Sequence, residues 1–470
     1  MAKSVALSET DTVRMAGNLS VMSYETAVTR MYELGHELAH ASAHKFDLAH
    51  MRVLLEALNH PERRFSSVLV AGTNGKGSTA ATLASILRAA GLRTGLYTSP
   101  HLVRINERIR IDGQEIDDDD FARFHDGVDR AASNLLEQGD LPHHPSFFEM
   151  LTAIAFEYLA ERKVDLAVLE VGMGGRLDAT NVVDPQLSVI TDISLDHQKF
   201  LGNTISEIAR EKAGIIRQGG VVVTLPQQPQ ANDVIGNTIL ELDACGINAA
   251  QYVPPVSPGS SSCFDSAPDA ALRLSYPLQV MGQQIQVETP LVGRHQLRNV
   301  ALAVAAAEQL AKQGFPITPA AIERGIRETH WPGRFQVLPA CGSTPEFVFD
   351  VAHNPAGAWA LRSTLANRYP DRPLVFIFGV MRDKAVAEMT EILFPLADHV
   401  IVTRTENPRS ATPSEIRQAA IRTSTSIEEA EDVPHAIERA RTLAGQRGVI
   451  VVTGSIYIVG EAMRLQGARI

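Results

Sequence analysis

Lys76 lies in a run, Val68-Leu-Val-Ala-Gly-Thr-Asn-Gly-Lys-Gly-Ser-Thr79, whose residue types suit the holding of a phosphate. Gly72, Gly75 and Gly77 let the backbone approach an anion, and successive N–H groups can point inward. A lysine so placed reaches the β- and γ-phosphates, and a nearby hydroxyl can hold Mg²⁺. The chemistry needs an apolar strand before the loop and a helix after it. Val68 to Ala71 supplies the first, and a helix-compatible run from about Ser78 to Ala90, closed by Gly91, the second. In the common phosphate loop a Ser or Thr follows the Lys directly, whereas here Gly77 intervenes. The plainer alternative is a glycine-rich turn with a solvated lysine.

Further residues of chemical type fall at the ends of predicted strands. Glu170 closes the apolar run from Leu166, and a carboxylate beside a phosphate loop is the usual second anchor for Mg²⁺. Isolated in a buried strand end it is costly, so it needs a partner, a metal or a local Arg176. Ser99 ends the strand Arg93–Ser99, and His197 follows the strand Leu187–Ser194. Open α/β sheets bind ligands at such ends, so Ser99, Glu170 and His197 could converge, although imidazole is less typical for Mg²⁺ than oxygen. Asp350 ends the run from Phe347 and could touch a ribose or orient an arginine. The acidic run Asp117 to Asp120 precedes a helix and suits N-capping better than a metal. Ser146-Phe-Phe-Glu149 opens a helix, and aromatic faces suit a flat heteroaromatic ring.

Several motifs recur in order: Gly-Thr-Asn-Gly-Lys-Gly-Ser, Thr-Ser-Pro-His-Leu over 98–102, Glu170-x-Gly-x-Gly-Gly-Arg176, Glu-Lys-Ala-Gly over 211–214, Pro-Gly-Arg over 332–334, and Asp350-x-Ala-His-Asn-Pro355. Together they resemble the Mur ligase superfamily, and more narrowly the folylpolyglutamate synthase/dihydrofolate synthase branch, over about residues 24 to 463. The resemblance implies an ATP-dependent carboxylate–amine ligase, bifunctional, adding L-glutamate to dihydropteroate and to reduced folates through an acyl phosphate. Lys76, Lys212 and Arg334 become the catalytic set, with Lys212 carbamylated. Gly72 to Ser78, Asn299, Arg334 and Asp350 become the ATP contacts, and Ser99, Glu170 and His197 the ligands of Mg²⁺, two ions in all. Leu48, His50, Ser146, Phe147, Phe148, Glu149, Leu177, Asp178 and Ala179 fall on the pterin-binding stretches. Asp47 to His50 departs from the Gly-Leu-Glu usual there, which bears on the dihydropteroate reaction. The loop Gly379-Val-Met-Arg-Asp-Lys384 also resembles the family, without an assigned role. The alternatives are a folylpolyglutamate synthase alone, a Mur-type UDP-sugar amino-acid ligase, a P-loop switch NTPase and a non-catalytic nucleotide-binding module.

The elements that must carry these residues are those of an α/β protein. At 470 residues two or three domains are expected. The reading is a polar extension over 1–22, then a P-loop-containing, mostly parallel sheet domain over 23–328 with the pterin/folate pocket. A linker over 329–334 leads to a smaller Rossmann-like α/β domain over 335–470. In that last part strands are expected at 347–350, 374–379, 399–403 and 449–453, with helices near 356–368, 383–394, 413–422 and 434–444. Residues 272–276 and 284–288 alternate in polarity and suit an antiparallel ribbon; 254–268 reads as a Pro- and Ser-rich loop. The net charge of −11 disfavours a general nucleic-acid binder. Three separated cysteines suggest neither a zinc site nor disulfides, and no run is long enough to span a membrane. A cytoplasmic monomer with small-molecule substrates is expected.

Overall fold

The computed structural model describes residues 22–35, 48–255, 272–342, 344–423 and 425–470. The expectations for 1–21, for Asp47 and for most of the Pro- and Ser-rich loop lie outside those residues.

Eight strands form the larger sheet: β1 Ser66–Ala71, β2 Thr94–Tyr97, β3 Ile109–Ile111, β4 Gln114–Glu115, β5 Leu166–Glu170, β6 Leu187–Ile190, β7 Val221–Thr224 and β8 Cys245–Asn248. Their order is β4-β3-β2-β5-β1-β6-β7-β8. From β2 to β8 the pairs are parallel, and β3 and β4 add an antiparallel edge. The helices of this half are α1 Tyr24–Glu33, α2 Leu48–Ala57, α3 Lys76–Ala89, α4 Asp118–Gln138, α5 Phe147–Glu161, α6 Gln198–Leu201, α7 Ile205–Ala213, α8 Pro229–Glu241, α9 Arg294–Lys312 and α10 Pro319–Arg327.

The apolar runs of β1, β5 and β6 are unbroken because both faces of the sheet are covered. The two-residue period of β1 divides its side chains accordingly. Leu69 and Ala71 join the core made by α1, α2, α4, α5 and α7. Val68 and Val70 join the core made by α3, α9 and α10. A hairpin, β9 Leu274–Val280 and β10 Gln283–Thr289, lays Leu278, Ile285 and Val287 on that second core.

The smaller sheet contains β11 Gln336–Leu338, β12 Glu346–Phe349, β13 Leu374–Phe378, β14 His399–Val402, β15 Ile427–Glu429 and β16 Val449–Thr453, ordered β11-β12-β16-β13-β14-β15. All its pairs but β11–β12 are parallel. Helices α11 Pro355–Arg368, α12 Val386–Leu393, α13 Pro413–Ala419, α14 Val433–Ala444 and α15 Ile456–Leu465 flank it. Phe347 and Phe349 pack on one face and Val348 on the other.

The architecture is therefore the expected α/β one. Helix α3 begins at Lys76 rather than near Ser78, because Gly75 already serves as its cap. The Arg93–Ser99 strand shortens to Thr94–Tyr97, and α12 starts at Val386 rather than 383. Asp117 caps α4, its carboxylate accepting from the Asp120 N–H, so the acidic run serves the helix. Strands β3, β4, β8, β11 and β15 are too short to show a period in sequence.

Candidate active site

The ends of β1, β5 and β6 open onto one cleft. The loop after β1 is fastened to the end of β6: Thr73 and Asn74 donate backbone N–H groups to Asp192 O at 2.9 and 3.1 Å. Thr73 Oγ1 donates to Ser194 O at 3.0 Å, and Asn74 Nδ2 to Ser194 Oγ at 3.1 Å. Gly75 has φ 88°, a left-handed conformation that suits glycine, and it starts α3 there. The first N–H groups of α3 thus face the cleft without side-chain caps, the arrangement that receives an anion. Lys76 Nζ folds back toward Thr73 O at 3.4 Å.

Glu170 is 4 % exposed, and its Oε2 accepts the Ser99 N–H at 3.2 Å. Burial raises its pKa, against the lowering pull of Lys76. His197 caps α6 in a left-handed conformation, φ 49°. Burial lowers its pKa to about 4, outweighing the adjacent Asp196, so the imidazole is neutral at pH 7. Lys212 is buried at the end of α7 and donates from Nζ to Gly72 O at 2.7 Å. Burial, then the charge of Lys76, draws its pKa down to about 7. Asp178 is committed locally: Oδ1 accepts from Thr180 N and Oγ1, and Oδ2 from Met173 N.

The smaller sheet supplies the facing wall. Asp350, just past β12, accepts from Phe335 N and Ala352 N at 2.9 Å each. Burial raises its pKa to about 6, against the opposing pull of Arg334. Arg334 is half-buried; desolvation lowers its pKa while Asp350 and Glu170 support its charge. Polar contacts cross the cleft. Lys384 Nζ meets Asp196 Oδ1 at 2.7 Å, Asn354 Nδ2 donates to Asn74 Oδ1 at 2.8 Å, and His353 Nε2 lies 3.8 Å from Asp196 Oδ2. On α9, Asn299 Nδ2 donates to Gln296 Oε1 at 2.8 Å.

One cavity of about 920 Å³ runs through the cleft. Every site residue that the family resemblance implies lines it: Gly72 to Ser78, Ser99, Glu170, His197, Lys212, Asn299, Arg334 and Asp350, and also Leu48, His50, Ser146 to Glu149 and Leu177 to Ala179. At the latter end Ser146 and Glu149 cap α5, Ser146 N–H donating to Glu149 Oε2 at 2.8 Å. Phe147 is largely buried and stacks with Tyr32, ring centroids 5.9 Å apart. Phe148 lies 6.0 Å from Tyr97, and His50 meets His143 edge-on at 5.1 Å.

The donors near the phosphate loop suit Mg²⁺ in part. The Glu170 carboxylate and Ser99 hydroxyl offer hard oxygens, and neutral His197 can donate a lone pair. Among the described residues no group of three His, Cys, Asp or Glu gathers. Ser99, Glu170 and His197 would leave the rest of an ion's coordination to phosphate oxygens and water.

Residues 144–307 match the Mur ligase middle domain, and residues 333–456 match the Mur ligase glutamate ligase domain. The dihydrofolate synthase/folylpolyglutamate synthase of Bacillus subtilis is 34% identical over 420 residues, 88% of this chain and 93% of the relative. The chain belongs to the dihydrofolate synthase/folylpolyglutamate synthase family. Folylpolyglutamate synthase of Lacticaseibacillus casei is 40% identical over 353 residues, 73% of this chain and 78% of its own. Mycobacterium tuberculosis folylpolyglutamate synthase, solved with ADP and AMPPCP, superposes with TM-score 0.82 at 33% identity, covering 94% of this chain and 99% of that one. Escherichia coli FolC, solved with DHPP and ADP, gives TM-score 0.79 at 28% identity over 95% and 98%.

Within this family frame, sequence reading missed Asp196, His353, Asn354 and Lys384. The only signals were the Asp-His pair at 196–197, the Asp-x-Ala-His-Asn-Pro motif and the loop ending at Lys384. None of them reveals which side chains meet across the cleft.

Proposed function

We propose that the chain is an ATP-dependent amide ligase that adds L-glutamate to dihydropteroate and to reduced folates. The observation that carries this is one cavity joining a phosphate loop, a buried strand-end carboxylate, the linker's Arg334 and Asp350 at the end of β12. The family membership supports the reaction class, and the relatives named for both activities support bifunctionality.

In the first step a carboxylate oxygen of the acceptor attacks the γ-phosphorus of ATP, and ADP leaves. In the second the α-amine of glutamate attacks the acyl carbon, phosphate leaves with its bonding electrons, and the amine loses a proton. The uncapped N–H groups at the start of α3 and the Lys76 amine bind and orient the β- and γ-phosphates, the Thr73 and Asn74 N–H groups being taken by Asp192 O. Arg334 meets the charge that accumulates on the transferred group, and Asp350 holds the Phe335 and Ala352 amides that shape the loop carrying Arg334. Asn299 lines the nucleotide end. Ser99, Glu170 and His197 would hold Mg²⁺, which would supply neutralisation of phosphate charge. The Lys212 amine is uncharged in part at neutral pH, which suits carbamylation. Leu48, His50, Ser146 to Glu149 and Leu177 to Ala179 bound the acceptor's ring end.

The larger and smaller sheets then act as two domains, 23–328 and 335–470, joined by 329–334 and closing over the acyl phosphate to exclude water. Cys245 and Cys341 are free and exposed, in keeping with a reducing, cytoplasmic setting; no helix among the described residues is long and apolar enough to cross a membrane. Light scattering tests the monomer.

The decisive assay follows ADP release with Mg²⁺, ATP and L-glutamate, with dihydropteroate in one series and tetrahydrofolate in another. Release in both series is expected. Release with tetrahydrofolate alone establishes the narrower activity, for which the Lacticaseibacillus casei relative is named. The Lys76→Ala variant is expected to lose about a hundredfold or more of the rate, the scale for one electrostatic donor to a transition state, with unchanged circular dichroism. Wild-type turnover in that variant overturns the assignment.

A further inference from the structure

Gly77 departs from the common phosphate loop, and its backbone gives no reason for a glycine. It is the second residue of α3 and is absent from the positive-φ residues of the chain. Its surroundings give one. A Cβ built on Gly77 would lie 2.6 Å from Cζ2 of Trp331 and 3.1 Å from its Cε2 and Nε1. The phosphate loop is thus in direct contact with an indole from the 329–334 segment, three residues before Arg334.

Trp331 also touches two cations. The Arg334 guanidinium carbon lies 5.9 Å from the ring centroid and that of Arg110 lies 6.0 Å away, within range of attraction to an aromatic face. The ring packs on the core beneath α3 and α9. Its Nε1 is buried and has no hydrogen-bond partner among the described residues. A buried donor left unpaired is unfavourable, so the ring is held there by its packing and not by its polar atom.

The geometry points to Trp331 as a positioning residue: its ring, wedged against Gly77 and beside Arg334, fixes the arginine relative to Lys76, and glycine stands at 77 to admit that ring. This rests on the reading that the Lys76 loop holds the phosphates of ATP. Trp331 transfers no proton and no group. Its task is to set the distance between two charges supplied by different parts of the chain.

The test is a mutant cycle on the full chain with Gly77→Ala, Trp331→Leu, the double variant and Trp331→Phe. Amide formation gives kcat and the KM values for ATP and L-glutamate, and ADP binding is followed separately. In Gly77→Ala the added methyl overlaps the ring, and kcat/KM for ATP is expected to fall about tenfold or more, the scale of overpacking. In the Trp331→Leu background the same change is expected to cost about threefold or less, because coupled neighbours do not add. Trp331→Leu alone is expected to lower kcat about tenfold with KM for L-glutamate unchanged, and Trp331→Phe to restore most of it, as conservative repacking allows. An equal cost of Gly77→Ala in both backgrounds overturns the inference, because the phosphate itself then demands the glycine. So does a Trp331→Leu enzyme equal to wild type. Absence of ADP binding and ligation in the wild type overturns the functional reading instead. In that event the wedge is judged from thermal unfolding of the same four variants, where additive effects refute it.

Discussion

Lys212 and Lys76 share one wall of the cleft, and burial beside a second cation leaves the Lys212 amine with a pKa near 7. A lysine titrates from charged to neutral as pH rises, so the form that can add CO₂ grows from pH 6 to pH 8. Labelled bicarbonate is therefore expected to give a carbamate carbon signal that strengthens over that interval and is missing in Lys212→Arg. A wild-type spectrum without that signal at pH 8 removes the carbamate from the reading. Asp350 is shifted in the opposite sense for an acid, up to about 6. Its folded pKa lies above its ordinary value, so the carboxylate becomes protonated as pH falls through about 6 while an exposed Asp would still be charged. The partner charge of Arg334 is then unbalanced, and kcat is expected to decline below pH 6. In Asp350→Asn the residual rate should lose that acid limb. An unchanged limb assigns it to another group.

The elements show why so many residues lining this cavity could be read in advance. Three features of the chain are local: glycines at a strand–helix junction, a carboxylate ending an apolar run, and a proline–glycine break before Arg334. Parallel strands of one sheet end on one edge, and Ser99, Glu170 and His197 open onto the same cavity as Lys76. Side chains that meet only through tertiary packing leave no such trace. Trp331 against Gly77 is one case, and Gly325 is another. Gly325 lies on α10, where a Cβ would stand 2.4 Å from the Cα of Ile86 and 2.6 Å from its N, both backbone atoms of α3. Nothing flexible can yield there. Gly325→Ala is expected to cost about 1–3 kcal/mol of stability as α10 is pushed off α3. Because α3 begins at Lys76, KM for ATP is expected to rise as well. Thermal unfolding and initial rates check the two effects, and a fully stable Gly325→Ala shows that the helices can separate freely.

At the scale of the whole molecule, an acidic chain of net charge −11 gathers Lys76, Lys212, Arg334 and Lys384 along one cavity. The same cavity is lined by as many carboxylates, Glu170, Asp196 and Asp350 among them, and it needs something to hold its two walls together. Asp196 does so. Its side chain and that of Lys384 are each 9 % exposed and meet at 2.7 Å, and Asn354 reaches Asn74 beside them. His197 and His353, each lowered to about 4 by burial, are neutral neighbours at pH 7, so the bridge is Asp196 to Lys384. Removing one partner of a buried pair leaves the other charged and desolvated, a loss of about 3–5 kcal/mol. In Asp196→Asn the closed arrangement is therefore expected to lose population. Two consequences follow if closure keeps water from the acyl phosphate. The radius of gyration from X-ray scattering should increase in the nucleotide-free protein, and ADP should form in excess of amide as the intermediate hydrolyses. The exchanged pair, Asp196→Lys with Lys384→Asp, should recover part of both. A one-to-one ratio of ADP to amide in Asp196→Asn, with an unchanged scattering profile, means that the walls are held by their apolar contacts and that the bridge only shapes the cleft.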